Sequence, residues 1–208
     1  MDLRFPCYQI YTNRLVLACY QPQNAQMMKD MATSNKEHLS PRMEFVQYEP
    51  QSYADKVELL RKRRSDYDRD IDYVIWIFDR NNYQLIWSTW VSPKKPDRFE
   101  LWYRIDKKHS WQWYIQETVK ALTCCIFTFT NADFPEIKCD LENKKSANVA
   151  KKCWYTHETN VKVVREHLGS NIRYDMIRTM AKTEAKNQHW YFDIQSTIKA
   201  YWTDGKVL

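Results

Sequence analysis

Glycine is nearly absent from this chain, and that scarcity limits which folds the chain can adopt. Two of its 208 residues are glycine and nine are tryptophan, whereas average usage of about 7% would give roughly 15 glycines. Glycine adopts positive φ without strain and lets a ligand approach the backbone closely. The scarcity argues against collagen-like, linker-rich and propeller-type chains, and it handicaps any fold that binds phosphate in a glycine-rich loop.

The composition is otherwise that of a globular protein with one large core. Hydrophobic residues make up 44% of the chain and charged residues 28%, which excludes a disordered or fibrous protein. No apolar run approaches the ~20 residues of a membrane span, and the N-terminal segment lacks the apolar core of a signal peptide. We therefore expect a cytoplasmic protein without a membrane partner. The net charge of +6 permits an anionic ligand without requiring a nucleic acid.

The cysteines and histidines show no spacing typical of a metal site or of a disulfide framework. The six cysteines include no CxxC pair, and the five histidines are scattered along the chain. We expect the cysteines to be small buried apolar side chains in a reducing compartment. The sequence gives no support for a metal site.

Hydrophobic periodicity predicts alternating strands and helices. Strands are predicted at 14–19, 71–78, 84–91, 98–105, 136–141, 159–167 and 172–180, and helices from Pro22, from an N-cap at Ser52, at 113–130 and at 144–153. Residues 169–171 are predicted to form the turn between the last two strands. This order describes one α/β domain with a mixed central β-sheet flanked by helices. We place that domain at 1–185 and expect 186–208 to be a tail packed on it.

Three segments resemble motifs of the GCN5-related N-acetyltransferase (GNAT) superfamily, and within it the RimJ/RimL type. The most specific is ENKKSANVAKKCWY at 142–155, which is similar to the family's stretch of Asn, Ser, an apolar pair, Lys and a Gly-aromatic end. FELWYRID at 99–106 is similar to the family's Glu-Leu-Gly-Tyr strand. WQWYIQETVKAL at 111–122 is similar to its Gly-x-Gly-Tyr-x-x-Glu-Ala loop and helix. The resemblance covers nearly the whole chain, from 12 to 180.

The resemblance implies the single-domain GNAT fold and acetyl transfer from acetyl-CoA to an amine, in the RimJ/RimL type a protein N-terminal α-amino group. In this family acetyl-CoA lies between two splayed parallel strands, here the strand ending at Ile105 and the one starting near Ile137. Its pyrophosphate binds backbone amides before the long helix, here at 109–114. The residues that the resemblance implies for binding acetyl-CoA are Tyr103, Ile105, Ser110, Trp111, Gln112, Trp113, Tyr114, Ile115, Asn143, Ser146 and Lys152.

The resemblance also implies catalytic roles. Glu100 is the candidate to orient or deprotonate the amine, directly or through water, and Ser146 to protonate or hydrogen-bond the leaving CoA thiolate. Asn143 is the candidate to hold the pantetheine arm or Ser146. The residues alone leave other interpretations open: Glu100 facing solvent or pairing with a lysine, and Ser146 as a hydroxyl in the cap region of a helix.

Tryptophan stands where this family prefers glycine at Trp87, Trp102, Trp111, Trp113 and Trp154. An indole at 111 or 113 loses easy access to positive φ, at roughly 1 to 2 kcal/mol per residue, and adds bulk where pyrophosphate would approach. Trp102 would add bulk at the mouth of the cleft. One alternative is therefore a GNAT-fold protein that binds acetyl-CoA poorly and is catalytically impaired.

Nucleic-acid binding is the more distant alternative. It is favoured only by the 15% aromatic content together with the excess of Lys and Arg, which could supply stacking and phosphate contacts. No recognisable nucleic-acid-binding motif accompanies that composition. A homodimer is left open.

Overall fold

The computed structural model describes residues 4–41, 43–110, 112–165, 171–202 and 205–207. Its strands are β1 (Gln9–Tyr11), β2 (Leu15–Cys19), β3 (Tyr73–Asp79), β4 (Leu85–Lys95), β5 (Arg98–Ile105), β6 (Phe134–Asp140), β7 (Thr156–Arg165), β8 (Asn171–Thr179) and β9 (Lys199–Tyr201). Its helices are α1 (Ala25–Ser34), α2 (Lys36–Leu39), α3 (Tyr53–Asp68), α4 (Tyr114–Phe129), α5 (Lys144–Lys152), α6 (Lys182–Lys186) and α7 (His189–Thr197). Short 3₁₀ turns cover Pro22–Asn24, Glu44–Tyr48 and Lys107–His109.

The described strands form one mixed sheet in the order β7-β8-β6-β5-β4-β3-β2-β1-β9. Strands β5 and β6 pair in parallel from Arg98↔Phe134 to Leu101↔Ile137, whereas the other neighbours are antiparallel. Beyond Leu101, β5 continues to Ile105 and β6 continues to Asp140 without pairing to each other. The parallel junction is therefore also the place where the sheet opens.

Helices cover both faces of the sheet. On one face α4 buries apolar residues such as Val119 and Leu122 against the strands. On the other face α1 and α3 pack Met28 and Leu60 against the strands. Strand side chains alternate between the two faces of a sheet. Since helices cover both faces, β5 has buried side chains on each of them. The predicted α/β fold with a mixed sheet and flanking helices is confirmed.

Several element bounds differ from the sequence predictions. Ser52 is the N-cap of α3 as predicted, and its side chain and backbone form a capping box with Asp55; the helix ends at Asp68. Ion pairs one turn apart, such as Arg64 Nε to Asp68 Oδ2 at 2.9 Å, support that last turn. Strand β7 begins at 156, three residues before the predicted start. Within the predicted turn, residues 169 and 170 lie outside the described residues.

The C-terminal segment adds two elements that periodicity did not resolve. Helix α7 packs on α4, with the Phe127 and Tyr191 rings 6.4 Å apart. Strand β9 pairs antiparallel with β1 at the edge of the sheet. Both strands have three residues, too few for an alternating pattern to be recognised. The division of the chain at residue 185 stays a prediction.

The cysteines behave as small apolar side chains. All six are free thiols and all six are buried. No helix among the described residues combines the length and the apolar character that crossing a bilayer requires.

Three tryptophans adopt positive φ: Trp87 at 151°, Trp113 at 62° and Trp154 at 67°. Asp70 and Tyr83 are the other described residues besides glycine that do so. Glycine reaches these angles without strain, whereas a side chain raises their energy. Trp102 lies in β5, and Trp111 lies outside the described residues. That these tryptophans replace glycines of the family stays a prediction.

Trp154 closes helix α5 in a geometry that favours glycine. The Trp154 amide donates to the Lys151 carbonyl and the Tyr155 amide to the Ala150 carbonyl, both at 3.0 Å, which is the Schellman pattern. The Trp154 side chain is 57% exposed, so its removal loses little packing. We expect Trp154→Gly to raise the free energy of unfolding by roughly 0.5 to 1 kcal/mol, since relief of the left-handed strain exceeds the cost of a freer unfolded backbone.

Urea denaturation of both proteins measures this difference. Trp154→Ala is the matched control, because alanine also removes the indole but keeps the Cβ that causes the strain. An equal gain in both variants would contradict the backbone explanation.

Candidate active site

A cleft occupies the gap where β5 and β6 separate. Its empty volume is about 560 Å³, including space open to solvent. The residues around it are Leu101, Trp102 and Tyr103 of β5, Ile137, Lys138, Cys139 and Asp140 of β6, Asn143 and Ser146 at the start of α5, and Pro41 and Met43. Because α5 packs on the α4 side of the sheet and Met43 on the α1–α3 side, the cleft connects the two faces.

Three of the predicted site residues meet in this cleft. Asn143 Oδ1 accepts a hydrogen bond of 3.2 Å from the Ser146 amide and so caps α5. The Tyr103 hydroxyl lies 2.9 Å from Ser146 Oγ and 3.1 Å from the Ser146 carbonyl oxygen. Burial raises the pKa of Tyr103 far above its usual range, so its phenol stays protonated. Ser146 therefore faces the cleft with a fixed hydroxyl beside it.

Glu100 is buried next to the cleft rather than in its wall. Its side chain points to the face opposite Leu101 and is 5% exposed, so the solvent-facing interpretation is wrong. Lys94 Nζ lies 3.3 Å from Glu100 Oε2, whereas Oε1 is buried without a hydrogen-bond partner among the described residues. Trp102, two positions along the same face and so ~6.6 Å away along the strand, lines the cleft.

The environment of Glu100 alters its acidity. Burial raises the pKa of this carboxyl above its ordinary value, although the nearby Lys94 ammonium acts in the opposite direction. A carboxylate with a raised pKa is a stronger base than an exposed one. Glu100 is therefore suited to accept a proton from an amine held near the cleft.

The start of α4 brings together two further predicted residues. Trp113 is the N-cap of α4 and makes no side-chain cap hydrogen bond. Its indole is 57% exposed, and Lys152 Nζ lies 3.8 Å from the ring centroid. The first amides of a helix lack partners within the helix and favour an anion. The Lys152 ammonium and the free amides at the start of α4 together favour the binding of a phosphate group at this end of the site.

Three of the residues predicted to bind acetyl-CoA have side chains that make contacts within the protein instead. The Tyr114 hydroxyl donates to Asp79 Oδ2 at 3.0 Å, and the guanidinium of Arg14 lies over the Tyr114 ring at 4.8 Å. Ile115 is buried in the core, and Ile105 packs against that core. Any contact of Tyr114 or Ile115 with phosphate would come from the main chain.

The loop before α4 contains the remaining predicted residues. Ser110 Oγ donates to the Lys107 carbonyl at 2.8 Å. Gln112 has an exposed side chain, and its carbonyl accepts a hydrogen bond of 3.0 Å from the Arg14 guanidinium. Trp111, the other predicted residue of this loop, lies outside the described residues.

Sequence reasoning did not single out Cys139, Pro41 or Met43. Cys139 lines the cleft together with Ser146, and burial raises the pKa of its thiol. The alternation of β6 placed Cys139 on the side of Ile137, but only the separation of the strands turns that side into a cleft wall. Pro41 and Met43 lie in an irregular segment whose sequence carries no signal of its own.

A mixed sheet whose parallel pair separates around a cleft, with the long helix starting at one end of that cleft, defines the acyl-CoA N-acyltransferase class. The family model described as the acetyltransferase (GNAT) domain matches residues 14–156, and this chain belongs to that family. The protein is thus an acetyl-CoA-dependent N-acetyltransferase by family, with acetyl-CoA as co-substrate. The sequence matches no curated protein.

Solved structures share the fold at low sequence identity. RimL, a ribosomal L7/L12 α-N-protein acetyltransferase in complex with coenzyme A, is 17% identical with a TM-score of 0.74, over 83% of this chain and 97% of that one. MccE, a microcin C7 self-immunity acetyltransferase in complex with acetyl-CoA and AMP, is 15% identical with a TM-score of 0.74, over 81% and 93%. A putative ribosomal-protein-serine acetyltransferase from Vibrio cholerae is 19% identical with a TM-score of 0.67, over 87% and 99%. These likenesses establish the fold alone.

Proposed function

We propose that this protein transfers the acetyl group of acetyl-CoA to the N-terminal α-amino group of a protein. The observation that carries the proposal is Oε1 of Glu100, which is buried beside the cleft and has no hydrogen-bond partner in the described part of the chain. Leaving such an acceptor unpaired costs about 1 to 3 kcal/mol, and an amine or a water held by an amine would pair with it. Structures of similar fold are named for acetylating ribosomal-protein N-termini, which supports this choice of acceptor.

In the proposed reaction, residues of this chain act at both ends of the cleft. Glu100 accepts a proton of the amine, directly or through water, while the nitrogen attacks the thioester carbon. The carbon–nitrogen bond forms and the carbon–sulfur bond breaks. Ser146 donates a hydrogen bond to the sulfur as it takes up negative charge. Asn143 holds Ser146 in place by capping α5, and Lys152 with the first amides of α4 faces the phosphates.

An α-amino group suits a carboxylate base better than a lysine side chain does. At pH 7.5 about a third of α-amino groups are neutral, compared with about 0.1% of lysine ammonium groups. A single carboxylate with a moderately raised pKa can therefore finish the deprotonation of an α-amine more readily. This difference favours a protein N-terminus over an internal lysine as the acceptor.

Two peptides test the acceptor. One has a free N-terminal serine and no lysine, and its matched control has a blocked N-terminus and one internal lysine. We expect mass spectrometry to find one added acetyl group on the first peptide alone. Acetylation of the lysine peptide instead would overturn the choice of acceptor. Acetyl-CoA binding without acetylation of either peptide would also contradict the proposed acceptor, whereas failure to bind acetyl-CoA would favour the impaired alternative.

The next test asks whether the indole of Trp113 obstructs the acetyl-CoA site. Its indole is exposed and faces Lys152, so we expect it to leave room for the phosphates. Calorimetric titration with acetyl-CoA should give dissociation constants for the protein and for Trp113→Gly that agree within about threefold, less than ~1 kcal/mol. Trp202→Gly, at another exposed indole, is the control. Binding by Trp113→Gly alone would establish obstruction and favour the impaired alternative.

A further inference from the structure

The hydroxyl groups of Tyr103 and Ser146 form a pair in which hydrogen placement determines what the serine can do. Their oxygens lie 2.9 Å apart, and either can be the donor. Each hydroxyl has one hydrogen to donate. If Tyr103 donates to Ser146 Oγ, the serine hydrogen is free for a third group. If Tyr103 instead donates to the Ser146 carbonyl, 3.1 Å away, the serine can donate to Tyr103 and has no hydrogen left for the cleft.

Negative charge in the cleft favours the first arrangement. Hydrogen bonds to an ionised acceptor are about twice as strong as neutral ones, so a thiolate attracts the serine hydrogen. A hydroxyl that donates strongly also becomes a better acceptor, which strengthens the bond from Tyr103 to Ser146 Oγ. The Ser146 carbonyl loses little, because in a helix it also accepts the amide four residues on.

Tyr103 acts in this chain as a donor and does not give up its proton. It packs against the buried core, and among the described residues the groups that influence its pKa are Ser146, Cys139 and Cys153, none of them a cation. A phenolate there would be an unpaired charge in an apolar setting, which is strongly unfavourable. The proton of Tyr103 therefore stays on its oxygen throughout the reaction.

We infer that Tyr103 is a positioning residue that directs the Ser146 hydroxyl into the cleft, so that Ser146 stabilises the thiolate of coenzyme A. This inference deepens the proposed function, since it concerns the leaving group of the same reaction. It does not depend on which amine is acetylated.

Coenzyme A itself is the probe for the first test. Ultraviolet absorbance of the thiolate, with the protein alone subtracted, follows the titration of the bound thiol. We expect the bound thiol to ionise about one pH unit below free coenzyme A, a tenfold shift in the equilibrium. In Ser146→Ala and in Tyr103→Phe at least half of that shift should disappear.

Tyr155→Phe is the matched control. Its hydroxyl also bonds to another hydroxyl, Thr123 Oγ1 at 2.6 Å, but it is buried in the core and does not line the cleft. The titration of bound coenzyme A should be unchanged in Tyr155→Phe. Thermal unfolding of each variant confirms that it is folded before the comparison is made.

Kinetics with an accepted amine supply the second test. Tyr103→Phe should lower kcat roughly tenfold and leave KM for acetyl-CoA within about twofold, because the lost bond matters only as charge develops on sulfur. Adding Tyr103→Phe to Ser146→Ala should cause no further loss, since Tyr103 acts through the serine.

The outcomes separate the two proposals. A thiol titration unchanged in Tyr103→Phe but altered in Ser146→Ala would overturn the role of Tyr103, and so would additive losses of kcat. A titration that depends on Tyr103 in a protein that acetylates neither peptide would support this inference and refute the proposed acceptor.

Discussion

Replacement of Glu100 by glutamine is expected to lower kcat/KM for the peptide acceptor about 10²-fold, within the range for loss of a general base. Glutamine keeps the shape of the side chain and can still contact Lys94, but it cannot take the proton of the amine. Glu58→Gln is the matched control, because Glu58 is an exposed carboxylate paired with Arg61 on α3. Retention of full activity by Glu100→Gln would remove Glu100 from the mechanism.

The pH dependence follows from the same carboxyl. Because burial raises the pKa of Glu100, its basic form is lost at a higher pH than for an ordinary glutamate. Protonation of the amine itself gives one acid limb of kcat/KM against pH in both proteins. Glu100 should add a second acid limb that lies above the usual glutamate range, and this second limb should be absent in Glu100→Gln. A second limb that persists unchanged in the variant belongs to another group.

Stability provides an independent measure of that raised pKa. In the pH window between the unfolded and folded pKa values of Glu100, the folded state binds more protons, so its stability falls as pH rises. The Glu100→Gln protein has no ionising group at this position, so its stability does not fall for this reason. Its stability relative to the unsubstituted protein should increase from below the ordinary glutamate pKa to neutral pH, as followed by urea denaturation. The reverse trend would mean that the pKa of Glu100 is lowered in the folded state.

Replacement of Trp87 by glycine is expected to destabilise the protein by roughly 3 kcal/mol, even though it relieves a positive φ of 151°. Removing a buried tryptophan costs about 3 to 5 kcal/mol, and the strained backbone accounts for about 1 to 3 kcal/mol in the other direction. Trp87 is 1% exposed and packs beside the Arg104 guanidinium, 5.3 Å from its ring. The lost packing therefore outweighs the relieved strain.

Thermal unfolding followed by circular dichroism should show a fall in Tm of about 10 °C for Trp87→Gly in a protein of this size. The matched comparison is Trp154→Gly. It makes the same substitution at an exposed residue with positive φ, and it should stabilise the protein. A Trp87→Gly protein as stable as the original would show that the bulge in β4, where the register with β3 shifts, needs glycine more than the core needs the indole.

Much of the secondary structure could be predicted because it depends on neighbours close in sequence. The capping box at Ser52 and the cap of Asn143 on the Ser146 amide each join residues three apart. Apolar spacing predicted α4 for the same reason. The three-residue strands β1 and β9 could not be predicted, since each is defined by its pairing with a distant segment.

The candidate site was predictable as a set of residues but not as an arrangement. Sequence identified Glu100, Tyr103 and Ser146 through a family resemblance, whereas Cys139 and Met43 entered only with the cleft. The partners of these groups are determined by packing. Lys94 reaches Glu100 across the β4–β5 hairpin, and Tyr103 meets Ser146 although they lie 43 residues apart.

The sequence by itself determined the order of strands and helices, the local caps and the chemical groups available, because spacings of two to four residues decide those features. The resemblance also predicts that tryptophans stand where a related chain would have glycine. Only the tertiary structure decided that Trp87 is buried while Trp113 and Trp154 are exposed, and that β5 and β6 separate after Leu101. Those outcomes depend on contacts between distant segments, in which the energy of burial competes with the strain of the backbone.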